Sequence, residues 1–387
     1  MMQDRFKVGT LSFCYPHLGG SGIMATRVAN ELALGGDGSV MISYEDAKLT
    51  EEMKMAGVSL YPAQRIESGY GFLRSTPHTE TLTCKALEAI KEKELEVLHS
   101  HYAVPHAFVG NTVKDMSGIS HVATIHGSDI HTMGDNPGVK ATLSWALEKA
   151  DGVTFVSEYL RRKCIDIYET DFGGVVIPNF VDVNKFKKSQ SNEMRKKYDI
   201  PEDAVIITHA SNFRPVKDTL QIGWSARRLL AEKKYRDKLF FLFIGDESAP
   251  DYIRMKQDST YAGFENSFRF LGRQESVAPF LAESDIAVLS SYREGCPLFV
   301  LEALASSVPL VGTNIGGISG IVNHEESGLL FDQGNMDGLI ENLRILIDNK
   351  DKRMAMGEKG LEVILNGYSR DVVIEQYRDI YKKVVKK

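Results

Sequence analysis

Two glutamates, Glu294 and Glu302, stand on either side of a proline-bearing turn in the stretch REGCPLFVLEALA, residues 293–305. Glu294 stands three residues past the end of the apolar run DIAVLSS, and Glu302 lies inside a segment that reads as a helix. A carboxylate buried without partners is costly, so each must meet a ligand or a neighbour. In the first turns of that helix an ionised Glu302 would be favoured by the positive end of the dipole. Two chemistries suit the pair: the acid and base of a glycosidase, or acceptors for the vicinal hydroxyls of sugars.

The other chemistry-bearing residues also sit just after apolar runs. In HASNFRPVKD, Arg214 and Lys217 surround a proline at a helix start, where two cations and free amides can meet one anion, although a solvated charged turn is the plain alternative. In CYPHLGGSGIMA, Gly19, Gly20 and Gly22 let a backbone approach a ligand, with Ser21 opening a helix. The same segment satisfies G-x-G-x-x-A, and Glu45 and Asp46 follow at the next strand end, which keeps an NAD-dependent oxidoreductase in play. HSHYAVPHA gathers His99, His101 and His106 around Tyr102, and TIHGSD ends another strand with Thr124 and His126. No carboxylate or cysteine near the first histidines has metal-ligand spacing, so hydrogen bonding in a cleft is the better reading.

These turns need strands to position them. FKVGTLSF (6–13), LEVLHSH (95–101), SHVATIH (120–126), GVTFVS (152–157) and GVVIPN (174–179) read as buried parallel strands. Helical patterns at 79–94 and 137–150 lie between them. The alternation restarts with AVIITHAS (204–211), LFFLFIG (239–245), SFRFLG (267–272), DIAVLSS (285–291) and VPLVGT (308–313). Strand, helix, strand in series predicts an α/β protein with two doubly wound parallel sheets. The expected organisation is a first domain over 1–182, a linker over 183–203, a second domain over 204–369, and a last helix over 370–387 free to pack on the first domain. Ligands of open α/β sheets bind at the carboxyl ends of the strands, where two such domains would face each other across a cleft.

With 387 residues, 43% of them apolar, the chain can bury a large core. A net charge of −6 gives no basic field for nucleic acid. Cys14, Cys84, Cys164 and Cys296 are scattered, without zinc or dithiol spacing, as in reduced thiols of a cytoplasmic protein. No stretch reads as a signal peptide or a membrane span, and residues 1–100 hold no basic amphipathic helix, so neither stable membrane association nor a lipid acceptor is expected. A homo-oligomer is left open.

The E-x7-E spacing, with SNFRPVK, GTNIGG and the N-terminal GGSG, resembles the retaining GT-B glycosyltransferases of family 4. CYPHLGGSG, HSHYAVPHA, TIHGSDI and GTNIGGI more narrowly resemble the branch that moves N-acetylglucosamine from UDP-GlcNAc to L-malate at the start of bacillithiol biosynthesis. The similarity runs over nearly the whole chain. It implies the GT-B fold of two Rossmann-like domains, UDP-GlcNAc and L-malate as substrates, and no metal or other cofactor. Glu302 would hold the ribose, Glu294 the donor sugar, and Arg214 and Lys217 the departing diphosphate. Gly20, Gly22, Gly316 and Gly317 would lie against the donor, Arg273 beside the uracil, and His126 near the sugar's outer hydroxyls. Ser21, Tyr102, Thr124 and Asn212 would line the acceptor pocket. Another nucleotide-sugar, another small acceptor, or an epimerase that needs none are the alternatives within that resemblance.

Overall fold

The computed structural model describes residues 5–16, 19–65, 67–70, 73–75, 77–131, 136–189 and 191–385. Contacts divide the chain into two compact units, one of Met1–Asn179 with Asp371–Lys387, the other of Phe180–Arg370.

In the first unit the strands are β1 (Lys7–Leu11), β2 (Gly38–Tyr44), β3 (Ser59–Ala63), the antiparallel pair β4 (Glu67–Tyr70) and β5 (Leu73–Ser75), β6 (Val97–His101), β7 (Ser120–Ile125), β8 (Gly152–Phe155) and β9 (Val175–Val176). Among the described residues, seven of them form one sheet in the order β3-β2-β1-β6-β7-β8-β9, every pairing parallel. Every residue of β6 and β7 is buried, because helices cover both faces and no face is left for water. The sequence reading places the helices His78–Lys93 and Pro137–Lys149 to within a residue or so, but β3 and the β4–β5 pair are absent from it.

The second unit holds β10 (Val205–Ser211), β11 (Leu239–Gly245), β12 (Phe268–Phe270), β13 (Ile286–Leu289), β14 (Leu310–Thr313) and β15 (Gly328–Phe331). They pair in parallel in the order β12-β11-β10-β13-β14-β15. Residues 183–203, expected as a linker, are instead built into this unit. Their helix Glu193–Lys197 has its first amides capped by the buried Glu283 carboxylate, which accepts from Met194 N and Arg195 N at 3.0 Å each. The Arg195 guanidinium donates to Pro201 O (2.9 Å), Ala204 O (3.0 Å) and Asp285 Oδ2 (3.2 Å). A long-range acid and a buried arginine thus convert a polar stretch into part of the fold.

The last helix, Arg370–Val384, belongs with the first unit apart from its first residue. It buries Val373, Ile374, Tyr377, Ile380, Tyr381 and Val384, a stripe at helical spacing. Its polar ties are specific. Tyr381 OH lies 2.7 Å from His99 Nδ1, and Ser120 Oγ donates to Val384 O at 2.8 Å. Arg378 donates to Asp37 Oδ2 through Nε (3.1 Å) and Nη2 (2.7 Å), while Asp37 Oδ1 accepts from Phe6 N at 2.8 Å. Asp37 therefore joins the helix, the start of β1 and the turn before β2, with its side chain wholly out of water.

Asp37→Ala would leave a largely buried guanidinium and a buried amide without that acceptor, and losing one partner of a buried pair costs about 3–5 kcal/mol. The two tryptophans, Trp145 and Trp224, fall in different units. In a Trp224→Phe background the fluorescence of Trp145 follows the first unit alone. The expected result is a clear drop in its denaturant midpoint on Asp37→Ala, and an unchanged midpoint would show that the acid does not hold the helix.

Candidate functional site

In the second unit the strand order reverses between β10 and β13, where open α/β sheets leave a crevice. The turn after β10 is held from beneath. His209, fully buried, donates from Nδ1 to Val288 O (2.9 Å) and accepts at Nε2 from Ser211 Oγ (2.8 Å), whose oxygen takes Phe213 N–H at 3.1 Å. Burial pushes its imidazole down to about 4, so it is neutral. Phe213 itself adopts φ 51°, a conformation a bulky residue takes only when anchored, and its ring is buried against Tyr252 and Phe243. A Cβ on Gly245 would fall 1.8 Å from Ser211 O, so the end of β11 can lie against this turn only as glycine.

On that turn, Lys217 Nζ reaches Glu294 Oε1 at 2.6 Å, and Ser291 Oγ donates to the same oxygen at 2.7 Å. Both members of the ion pair are largely shielded, with side chains 19% and 9% exposed, so it is screened less than a surface pair. Further bonds fix the frame: Ser290 Oγ to Asp218 O (2.8 Å), Tyr292 N to Val216 O (2.8 Å) and Thr313 Oγ1 to Ser291 O (2.7 Å). Gly317 packs directly on this backbone, since a Cβ there would lie 2.1 Å from Glu294 O. With its amide oxygen turned to the guanidinium, Asn212 accepts from Arg214 Nε (2.8 Å) and Nη2 (3.1 Å). The result is two cations, one exposed and one paired, three and six residues past the end of β10.

The first unit reverses order between β1 and β6, and its site is built of neutral rings. His101 ends β6 with Nδ1 3.0 Å from His126 Nε2. His106 donates from Nδ1 to His101 O (2.7 Å), and its Nε2 accepts from Tyr44 OH at 3.1 Å. Tyr44 stacks on Phe13. Tyr102 takes φ 92° while donating its amide to Thr124 O at 2.9 Å. The buried Asp129 pins both strand ends, accepting from Gly127 N (2.7 Å), His126 N (3.2 Å) and Ala103 N (3.3 Å). Burial raises its carboxyl pKa, an effect that those amides oppose. Gly20, Ser21 and Gly22 form the first turn of the helix Gly20–Leu34, with nothing within 4 Å of a Cβ at Gly20.

Of the residues singled out in sequence, Arg214 with Asn212, and Lys217 with Glu294 and Gly317, come together in one unit. Tyr102 and His126 come together in the other. Three expectations need correction. Thr124 is wholly buried, its hydroxyl 2.7 Å from His99 Nε2 and 2.6 Å from Thr154 Oγ1, so it is spent inside the sheet and does not line a pocket. Glu302 is the fifth residue of the helix Leu298–Ala305, past its first turn, so the dipole does little for it. The dinucleotide reading of GSGIMA fails because β1 ends at Leu11 and the helix starts at Gly20, too far for a tight turn, while Glu45 is paired with Arg65 at 3.2 Å. Arg273 is exposed and paired with Asp246 at 2.8 Å, and Gly316 opens the short helix Gly316–Ser319. Sequence reasoning missed His209, Ser290 and Ser291. Two serines directly after a buried strand were the available signal. Among the described residues no cluster of His, Cys, Asp and Glu could hold a metal ion, and no helix is long and apolar enough to cross a membrane.

Residues 18–185 match the family described as Glycosyltransferase Family 4, and residues 190–363 match Glycosyl transferases group 1. The chain is 29% identical over 384 residues to the N-acetyl-alpha-D-glucosaminyl L-malate synthase of Bacillus anthracis, covering 99% of this chain and 98% of that one. Among solved structures, a glycosyltransferase from Rickettsia africae superposes with TM-score 0.80 at 19% identity, covering 99% of this chain and 100% of that one. The Anabaena protein Alr3699/HepE, solved in complex with UDP, gives TM-score 0.81 at 17% identity over 97% of this chain and 100% of that one.

The buried histidines make the two units differ in acid. Burial lowers His99 and His121 from 6.5 to about 3 and His106 to about 4, and all three lie in the first unit. Their folded pKa values are below the unfolded one, so between about pH 6.5 and 4 only the unfolded chain takes up these protons. Stability from these groups is present above that window and falls as pH drops through it, by up to about 1.4 kcal/mol per pH unit for each histidine. Acid titrations of Trp224→Phe and Trp145→Phe, followed by fluorescence, are expected to show the first unit unfolding at higher pH than the second. Loss of the second unit first would overturn the assignment.

Proposed function

The chain is a glycosyltransferase of the two-domain GT-B type related to family 4, and from that premise we propose that it moves N-acetylglucosamine from UDP-GlcNAc to the hydroxyl of L-malate with retention, the first step of bacillithiol biosynthesis. The observation that carries the proposal is the Lys217–Glu294 pair at the β10/β13 crevice, where one side chain suits a phosphate and the other a sugar hydroxyl. The malate synthase of Bacillus anthracis, matched from end to end, supports the choice of sugar and acceptor. UDP bound to HepE supports the nucleotide.

The roles follow from chemistry. Arg214 and Lys217 stabilise the negative charge that grows on the diphosphate as the C1–O bond breaks, in general the largest protein contribution to such a step. Glu294 accepts from hydroxyls of the donor sugar, and in the meantime holds Lys217 in place as a charged group. Glu302 accepts from the ribose, and Gly316 and Gly317 let backbone approach the donor. Arg273 lies by the uracil. On the acceptor side, Ser21 and Tyr102 offer hydroxyls to a small dianion, with the amides of the Gly20–Leu34 helix behind them. The new bond from the malate oxygen to C1 forms on the face the phosphate leaves, and the malate proton passes to a β-phosphate oxygen. UDP departs, and neither a protein nucleophile nor a metal is required.

Incubation of the chain with UDP-GlcNAc, UDP-glucose, UDP-galactose and GDP-mannose against L-malate and other small hydroxy acids, read by mass spectrometry and anomeric NMR coupling, tests the whole reading. An α-linked N-acetylglucosaminyl malate with release of UDP is expected; a β-linked product, or no malate glycoside with any donor, would reject it. For the mechanism, Lys217→Ala should lower kcat by roughly a hundredfold with little change in the malate KM. A turnover number equal to wild type in a variant that keeps its melting temperature would remove Lys217 from the diphosphate.

A further inference from the structure

The contact between His101 and His126 contains information about which proton sits where. A hydrogen bond between two neutral imidazole nitrogens needs a single proton, and here the atoms are fixed: Nδ1 of His101 and Nε2 of His126, 3.0 Å apart. Burial drives both rings to the neutral state, holding His126 at about 3 and His101 well below its ordinary value. Two arrangements remain. If His126 donates, its proton is on Nε2, and the proton of His101 is forced onto its own Nε2. If His101 donates, its proton is on Nδ1, and the proton of His126 is forced onto Nδ1.

The surroundings separate them. His101 is fully buried, and its Nε2 is a buried atom with no hydrogen-bond partner among the described residues. Under the first arrangement that atom would be an orphaned N–H, among the rarest defects in native structures; under the second it is an idle lone pair, a better tolerated one. Turning the ring over would put a C–H where Nδ1 now faces His126 and lose that hydrogen bond. The ring is packed at 4.2 Å between centroids on His99, which is itself tied to Tyr381 and Thr124 at 2.7 Å each, and at 5.2 Å on His126. The backbone on both sides is pinned by Asp129 through Ala103 N and His126 N.

We propose that His101 is a positioning residue that sets the tautomer of His126, donating from Nδ1 to His126 Nε2 so that His126 offers Nδ1–H as a neutral hydrogen-bond donor to a substrate hydroxyl. This rests on the glycosyltransferase reading for the identity of that hydroxyl, but the tautomer itself does not. The consequence for the reaction is specific. A His126 whose Nε2 already accepts a bond and whose Nδ1 already carries a proton has no free lone pair, so it cannot take the acceptor's proton. It orients the donor sugar, and the proton must go to the phosphate.

Long-range ¹H–¹⁵N NMR of the full chain with ring-labelled histidine reads the tautomer directly, without substrate. Comparison with His126→Gln identifies its signals. His126 is expected with the proton on Nδ1 in the wild type, and in His101→Phe it should shift to Nε2 or to a mixture; a wild-type His126 protonated on Nε2 would overturn the proposal whatever the substrate is. Kinetics with UDP-GlcNAc and L-malate supply the second arm. His101→Phe should lower kcat about tenfold, the worth of one hydrogen bond, with the malate KM unchanged. His101→Asn, whose amide N–H can stand where Nδ1–H was, should recover most of it. In a His126→Ala background the His101→Phe change should cost nothing further; an equal loss in both backgrounds would show that His101 only supports the fold. Absence of transfer with these substrates in the wild type would count against the substrate assignment, leaving the NMR result to decide the tautomer.

Discussion

A parallel sheet sends the last residue of every strand to the same edge. With helices on both faces the strands are buried along their length, so that edge is where a polar side chain can meet a ligand. Reversal of the strand order then decides which ends are left uncovered, because the connections leave in opposite directions there. In the second unit the gap falls between β10 and β13, and the residues following those strands are Asn212, Arg214 and Lys217 on one side and Ser290, Ser291 and Glu294 on the other. Residues 77 positions apart in sequence become an ion pair because two neighbouring strands end together.

The two units meet the cost of burying polar groups differently. The second uses charge: a carboxylate that takes an ammonium and a hydroxyl on one oxygen, and another, Glu283, that takes two amides. The first uses neutral imidazoles, and in two of them, His106 and His121, an oxygen acceptor sets the tautomer. His106 donates to a backbone carbonyl and His121 to Asn111 Oδ1 at 2.7 Å, and each then accepts from a hydroxyl at Nε2. A neutral ring with both nitrogens engaged has a much smaller desolvation penalty than an ion. His101 is one nitrogen short of that pattern, and it lies beside His126.

Much of this was legible in the amino-acid sequence, and the limits have a physical cause. Apolar runs bounded by turn residues identify the strands well, and glycine, proline and cations in the segments that follow identify the turns around Gly20, Asn212 and Glu294. What local pattern cannot supply is the partner across the fold. Thr124 reads as a pocket residue because it sits near a strand end, yet the side chain's face is decided by His99 and Thr154 on the strands beside it. Residues 183–203 read as a linker because they are polar, and only Glu283 and Asp285, some ninety positions later, give that polarity a buried use. The helix that carries Glu302 was legible as LFVLEALA, but Glu302 is its fifth residue, one turn in and beyond the reach of the dipole.

The last helix completes the first unit. Its polar network begins at Asp37 and His99 and is completed by Arg378 and Tyr381, contacts that span 341 and 282 positions. The whole of the second unit lies between these partners in the chain. Until the C-terminus arrives, Asp37 is a carboxylate with one backbone donor, and His99 lacks the hydroxyl that engages its Nδ1. Loop-closure entropy grows only slowly with length, so the distance itself adds little. What matters is order. The β6–β7 end that carries His101, Tyr102 and His126 lies against His99 and Thr124, and these reach their final hydrogen bonding only when Tyr381 docks. The site in the first unit is therefore set by the last residues of the chain as much as by the strands that bear it.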